Sequence, residues 1–203
     1  MPEFLTAAAI AAVAVFIAEF GDKSQLLTLA FATRYPALPV IAGLVIGATI
    51  IIGLSVIVGA AVGAVLPAGL VALVAGVAFI GVGLWTLRGD DDEDEDAEAE
   101  AEVTKTGRRA GVGLVLTIAA TFILGELGDK TMLVVFGLAA SQGALPTWIG
   151  AVVGEVGANL LAVALGRTMG NRLDPRTVRM VSAGLFLLGG VLVLATTILG
   201  GAD

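Results

Sequence analysis

The sequence predicts an all-α integral membrane protein with six transmembrane helices, built as two inverted three-helix repeats. Three observations predict it. The 203 residues are 58% hydrophobic with a mean hydropathy of +1.01, above the roughly 45–50% apolar content of a soluble domain. Apolar runs separated by prolines, glycines and charges fall into six segments. One hexapeptide occurs twice, as Glu19-Phe20-Gly21-Asp22-Lys23-Ser24 and Glu126-Leu127-Gly128-Asp129-Lys130-Thr131, each inside an apolar segment. The shift of 107 positions that relates the copies also carries Pro39 onto Pro146, Gly43 onto Gly150, Gly47 onto Gly154 and Gly59 onto Gly166. The chain is an internal duplication.

The six helices are expected at about 4–33, 38–65, 68–88, 109–140, 145–167 and 175–200. The first opens at Met1-Pro2-Glu3-Phe4 without the cationic region of a secretory signal and reads as a retained membrane helix. Helices one and four are about 30 residues long, more than the roughly 20 needed to cross, which predicts tilting, bending or a break. Gly21 and Gly128 are where the chain can unwind at least steric cost. No charge occurs between Arg34 and Arg88, and Pro67 divides that stretch into helices two and three. Gly43/Gly47 and Gly150/Gly154 are small-xxx-small pairs suited to close helix approach. Asp174-Pro175 reads as the N-cap and first residue of helix six. The domains are then residues 1–88 and 109–203, one repeat each, joined by a linker over 89–108.

Three helices per half is an odd number, so the second half enters the membrane from the opposite side and both motifs face one midplane cavity. Nine Lys and Arg outside the motifs fall on one side under this count, which predicts that side to be cytoplasmic. Both termini are expected outside a cell membrane, and the linker inside.

The formal charge of −7 misleads, because ten of the eighteen acidic residues lie between Asp90 and Glu102. Such a like-charge block reads as a tether too polar to fold, and it gives no support to nucleic-acid binding. With no Cys and no His, disulfides, thiolate or imidazole metal sites and histidine bases are all excluded. Intramembrane chemistry is left to carboxylates and lysines.

Ionisable residues inside a bilayer are costly and mark ion or proton pathways. Glu19 and Asp22, like Glu126 and Asp129, are spaced i,i+3 on one face, so four carboxylates can converge. Oxygen ligands of this kind suit hard or borderline divalent cations such as Ca²⁺, Mn²⁺ and Mg²⁺. Ser24, Thr131 and Gln25 can add neutral oxygens. Lys23 and Lys130 follow Glu at i+4, the order that favours an intrahelical ion pair, and are expected to balance charge there or to snorkel. Four acids and two lysines leave an excess of two negative charges, matching one divalent cation or two protons, so exchange is expected. Glu155 and Asn159, spaced i,i+4 on helix five, have Ala48 and Ile52 at the equivalent positions. Glu155 is expected to carry protons or ligate, or else to pair with an arginine.

The doubled E-x-G-D-K-[ST] signature, the 3+3 layout and the charged central loop resemble the Gdt family of cation transporters, Golgi Mn²⁺/Ca²⁺ exchangers and prokaryotic manganese exporters among them. The resemblance covers nearly the whole chain outside the linker. It implies Mn²⁺, or next Ca²⁺, moved in exchange for protons, with Glu19, Asp22, Glu126 and Asp129 as the matching acidic residues. The metal is cargo, and no cofactor is expected. The family pattern continues with Gln, kept as Gln25 in the first half and replaced by Met132 in the second. The expected partners are the cation, protons and the lipid bilayer, with a homodimer admissible and no nucleic acid.

Two rival readings stand beside transport. Asp22 and Asp129 each follow Gly within a membrane segment, as in an intramembrane aspartyl protease, where two aspartates share a proton. The accompanying Glu and Lys speak against it. A structural membrane module, with the motifs as pinning salt bridges, is the other.

Overall fold

The structure is a computed structural model that describes residues 1–19, 22–88, 101, 103, 104, 106, 110–169 and 175–200. Among the described residues there is no strand. Eight helices organise them: α1 (Pro2–Glu19), α2 (Lys23–Arg34), α3 (Ala37–Val65), α4 (Ala68–Arg88), α5 (Gly111–Glu126), α6 (Lys130–Gln142), α7 (Ala144–Met169) and α8 (Pro175–Gly200). The long first and fourth segments of the sequence are therefore each two helices, broken at the motif. Between α5 and α6 the axis turns by 81°.

The two breaks are built alike. The Asp22 N–H donates to the Glu19 carbonyl at 3.1 Å, and the Asp129 N–H to the Glu126 carbonyl at 3.2 Å. The Gln25 and Met132 N–H groups then donate to the Asp22 and Asp129 carbonyls at 3.0 and 3.2 Å. Gly128 sits at φ +82°, a left-handed conformation that a side chain would strain. The matching expectation for Gly21 lies outside the described residues, as does the Asp174 cap.

Four helices, α1, α3, α4 and the 144–161 part of α7, are long and apolar enough to cross a membrane. The α5–α6 pair makes a fifth span if counted as one, and in α8 a shorter apolar stretch runs over Ala183–Leu199. Large apolar side chains such as Leu5, Ile57, Leu124, Val153 and Leu199 point outward, as lipid-facing helices require. A multi-pass membrane protein follows.

Glycines set how the halves meet. A methyl group on Gly43 would lie 2.9 Å from the Val115 carbonyl oxygen, and one on Gly47 3.0 Å from that of Ala119. Gly150 and Gly154 meet the carbonyls of Ala8 and Ala12 in the same way. Those partners differ by the same 107 positions as the glycines, so each half receives the first motif helix of the other at equivalent residues. Further along α3, Gly59 and Gly63 meet the carbonyls of Phe136 and Ala140. The broken pair α5–α6 thus follows α3 in one direction from end to end. α4 packs on α8, and α3 crosses α7, where the Trp148 indole N–H donates to the Thr49 carbonyl at 3.2 Å.

Around the breaks lies one apolar core that includes Val15, Leu44, Ile52, Phe122 and Val135. A second cluster, at the end of α2, joins Phe31, Val40, Leu114 and Ile118 to Val103. The Arg34 guanidinium donates to the Thr104 hydroxyl at 3.2 Å. A free tether over the whole linker therefore does not hold at Val103 and Thr104: an apolar side chain in an otherwise acidic stretch finds an apolar seat.

Candidate cation site

Both breaks open into the same space. One carboxylate oxygen from each of Glu19, Asp22, Glu126 and Asp129 lies within 4.8 Å of the others. Glu19 is wholly buried, Glu126 and Asp22 nearly so, and Asp129 partly. Each half supplies the same parts: the C-terminal end of one helix, ending on Glu19 or Glu126, and the N-terminal end of the next, capped by Asp22 or Asp129. A helix C-terminus presents unpaired carbonyls and a helix N-terminus unpaired N–H groups, so oxygen ligands and dipoles gather without further secondary structure.

Hydrogen bonds knit the halves across the cavity. Glu19 accepts from the Ser24 hydroxyl of its own half and from the Thr131 hydroxyl of the other. Glu155 of α7 is buried beside them, lining one small cavity with Glu126 and Thr131. Among the described residues Glu155 pairs with no arginine.

Lys130 forms its ion pair with Asp22 of the opposite half. The partner is not the one that the i,i+4 order suggests. An i,i+4 pair with Glu126 presupposes a continuous helix, and the break at Leu127–Asp129 removes it; the ammonium turns into the cavity instead of snorkelling. The Lys23 side chain lies outside the described residues. The two aspartates differ in turn: the Asp129 carboxylate accepts from the Thr131 N–H at 3.4 Å as a helix cap, whereas Asp22 makes no such cap bond and is held by Lys130.

The neutral candidates divide. Ser24 and Thr131 sit on Glu19. Gln25 is buried, but its amide nitrogen donates to the Ala158 carbonyl at 3.2 Å, on α7. Met132 directs its sulfur to the Gly128 N–H at 3.1 Å. Sequence reasoning left two contributors unassigned: Asn159, whose amide donates to the Glu155 carbonyl and carboxylate at 3.0 and 3.1 Å, and Thr28, whose hydroxyl donates to Asn159 Oδ1 at 2.7 Å. The i,i+4 spacing of Glu155 and Asn159 was the signal for the first. Thr28 gave none, since a lone threonine in an apolar helix usually bonds to its own backbone.

The family model described as divalent cation/proton antiporter GDT1 matches residues 7–94 and 114–200. The chain belongs to the GDT1 family. As a GDT1 member it is a divalent cation/proton antiporter by family and a transporter, not an enzyme, which removes the protease reading. It is 29% identical over 183 residues to a Vibrio cholerae protein named as a candidate manganese exporter, covering 89% of this chain and 86% of that one. It is 30% identical to a GDT1-like protein of Synechocystis, covering 92% of this chain and 96% of the relative. The chloroplast protein PAM71 of Arabidopsis thaliana is also 30% identical, over 89% of this chain and 54% of that longer protein. No solved structure matches the chain.

Proposed function

We propose that this GDT1 protein is a secondary transporter that carries Mn²⁺, and next to it Ca²⁺, across a cell membrane in exchange for protons, through a midplane site of Glu19, Asp22, Glu126 and Asp129. The observation that carries the reading is the gathering of four carboxylate oxygens, two from each half, within 4.8 Å. Atoms bound to one ion at metal–oxygen distances of about 2.3–2.6 Å can be no further apart than about 4.6–5.2 Å, so the cage already has the span that Ca²⁺ accepts, whereas Mg²⁺ at about 2.0–2.1 Å needs contraction. Manganese is preferred because the Vibrio cholerae relative is named as a candidate manganese exporter. Ser24, Thr131 and Gln25 complete the ligand set as neutral oxygens.

Proton exchange follows from crowding. Carboxylates this close cannot all remain ionised without a cation, so arrival of the metal releases protons and their return expels the metal. Lys130 is the resident counterion of Asp22 and gives it up to the cation; Lys23 and Glu155 are the further charge-balancing or proton-coupled residues. The reciprocal glycine contacts support two inverted repeats, with residues 1–88 and 109–203 as halves, six spans, and alternating access by movement of one repeat against the other. The excess of Lys and Arg on one side supports termini outside and the linker in the cytoplasm.

The test is Mn²⁺, Ca²⁺ and Mg²⁺ flux in proteoliposomes under an imposed pH gradient. Wild type is expected to move Mn²⁺ fastest and Mg²⁺ least, and Glu19→Gln and Asp129→Asn to lose flux by about a hundredfold, as for loss of a buried charged ligand worth roughly 3 kcal/mol. Undiminished flux in both variants would remove the carboxylates from the mechanism.

A further inference from the structure

The internal duplication gives every position around the site a counterpart, and one pair of counterparts differs in chemistry. Beyond the carboxylates toward the Arg34 end of α2, the contact between α2 and α7 is polar. Gln25 bonds to the Ala158 carbonyl, Thr28 to Asn159, and Asn159 to Glu155. All four side chains are buried. The equivalent contact in the other half, between α6 and α3, sets Met132 and Val135 against Ile51 and Ile52, where they close one wall of a cavity of about 10 Å³ whose polar side is Ser55, Glu126, Thr131 and Glu155, room for one water at most.

We propose, on the transport reading above, that Gln25, Thr28 and Asn159 form a hydrophilic conduit for the divalent cation leading from the carboxylate cluster to the apolar cluster around Phe31 at the Arg34 end of α2, and that Ile51, Ile52, Met132 and Val135 form a dry seal on the opposite side. The chain supplies its own control. The same helix packing is made at the second position by apolar side chains, so the fold does not demand polar ones at the first, and buried polar groups are costly to keep in hydrocarbon. Their chemistry suits transit. Amide and hydroxyl oxygens replace part of the hydration shell, yet carry no charge that would trap the ion, and conduction needs sites weak enough to leave. On the sealed side an ion passes only when α3 and α6 separate, and on the conduit side only when the apolar cluster around Phe31 parts.

The chain contains no cysteine, so single replacements report without background. In the full-length, ion-free protein, Thr28→Cys and Asn159→Cys are expected to react with a small hydrophilic thiosulfonate at least about tenfold faster than Val135→Cys and Ile52→Cys; equal rates overturn the proposal. A second pair of variants reads transport. Thr28→Val with Asn159→Ile, which copies the apolar half, is expected to keep Mn²⁺ affinity within about threefold, measured by calorimetry, while flux falls at least about tenfold. Thr28→Ser should restore flux when it replaces the valine. Unchanged flux, or affinity lost in step with flux, overturns the conduit, the second because the residues then only hold the site together. Val135→Thr with Ile52→Asn, which copies the polar half, is expected to leak Mn²⁺ without a pH gradient, and tight coupling in that variant overturns the seal. If wild type moves no divalent cation at all, the transport reading fails, and the thiol reactivities still judge the conduit.

Discussion

Lys130 shows what a single residue decides here. It carries the charge that Asp22 faces, yet comes from the other half of the chain. Two consequences follow: the lysine links the repeats in the absence of cargo, and any cation taking Asp22 must compete with it. Lys130→Gln is expected to lower the thermal stability of the ion-free protein by about 3 kcal/mol, since removing one member of a largely buried pair strands the other. Saturating Mn²⁺ should raise the melting temperature of the variant more than that of wild type, because the metal takes the place of the missing ammonium. Melting in detergent with and without Mn²⁺ checks both, and an equal metal shift in the two proteins would contradict the competition. The four motif carboxylates and their convergence were legible in the sequence because they repeat. The partner of Lys130 was not, because the i,i+4 rule that suggested Glu126 holds only on an unbroken helix. Nor was the seat of Glu155 beside Glu126 and Thr131, which depends on how α7 packs and has no counterpart at Ala48 to point to it.

Among the elements, the helix breaks and the glycine seams do the positioning. Gly150 lets the α1 backbone come against α7 so closely that a methyl group would collide with the Ala8 carbonyl, which cannot rotate away. Gly150→Ala is therefore expected to cost about 1–3 kcal/mol as an overpacked contact and to push α1, with Glu19 at its end, out of register with the cavity. Gly81→Ala in α4 is the comparison: nothing lies within 4 Å of the added carbon, and alanine favours a helix over glycine by about 1 kcal/mol. Unfolding temperatures and Mn²⁺ affinity of the two variants check this, with Gly81→Ala unchanged in affinity. Sequence spacing identified these glycine pairs as packing sites and the long first and fourth segments as bent or broken. It could not say that both segments break outright, because apolar character continues straight through the motifs. Val103 was equally hidden, one apolar residue in an acidic run, and only the seat formed by Phe31, Leu114 and Ile118 makes it structural.

At the scale of the whole molecule, neither half builds its own half-site. The first-half motif helices lie on α7, the second-half ones on α3, and Glu19 takes hydroxyl donors from both. Apart from Val103 and Thr104, which pack against α2, the linker is then needed for proximity and not for geometry. Residues 1–88 and 109–203 produced as two polypeptides in one cell are expected to recover Mn²⁺ flux in proteoliposomes, whereas either alone should give none; recovery from one fragment would contradict the shared cavity. Two such fragments would amount to an obligate heterodimer, each subunit insoluble in purpose without the other: the folded partner would be the template on which a broken helix finds its bend. A membrane could thus hold either half idle and un-conducting, since a carrier assembled this way does not leak ions until both gene products have met.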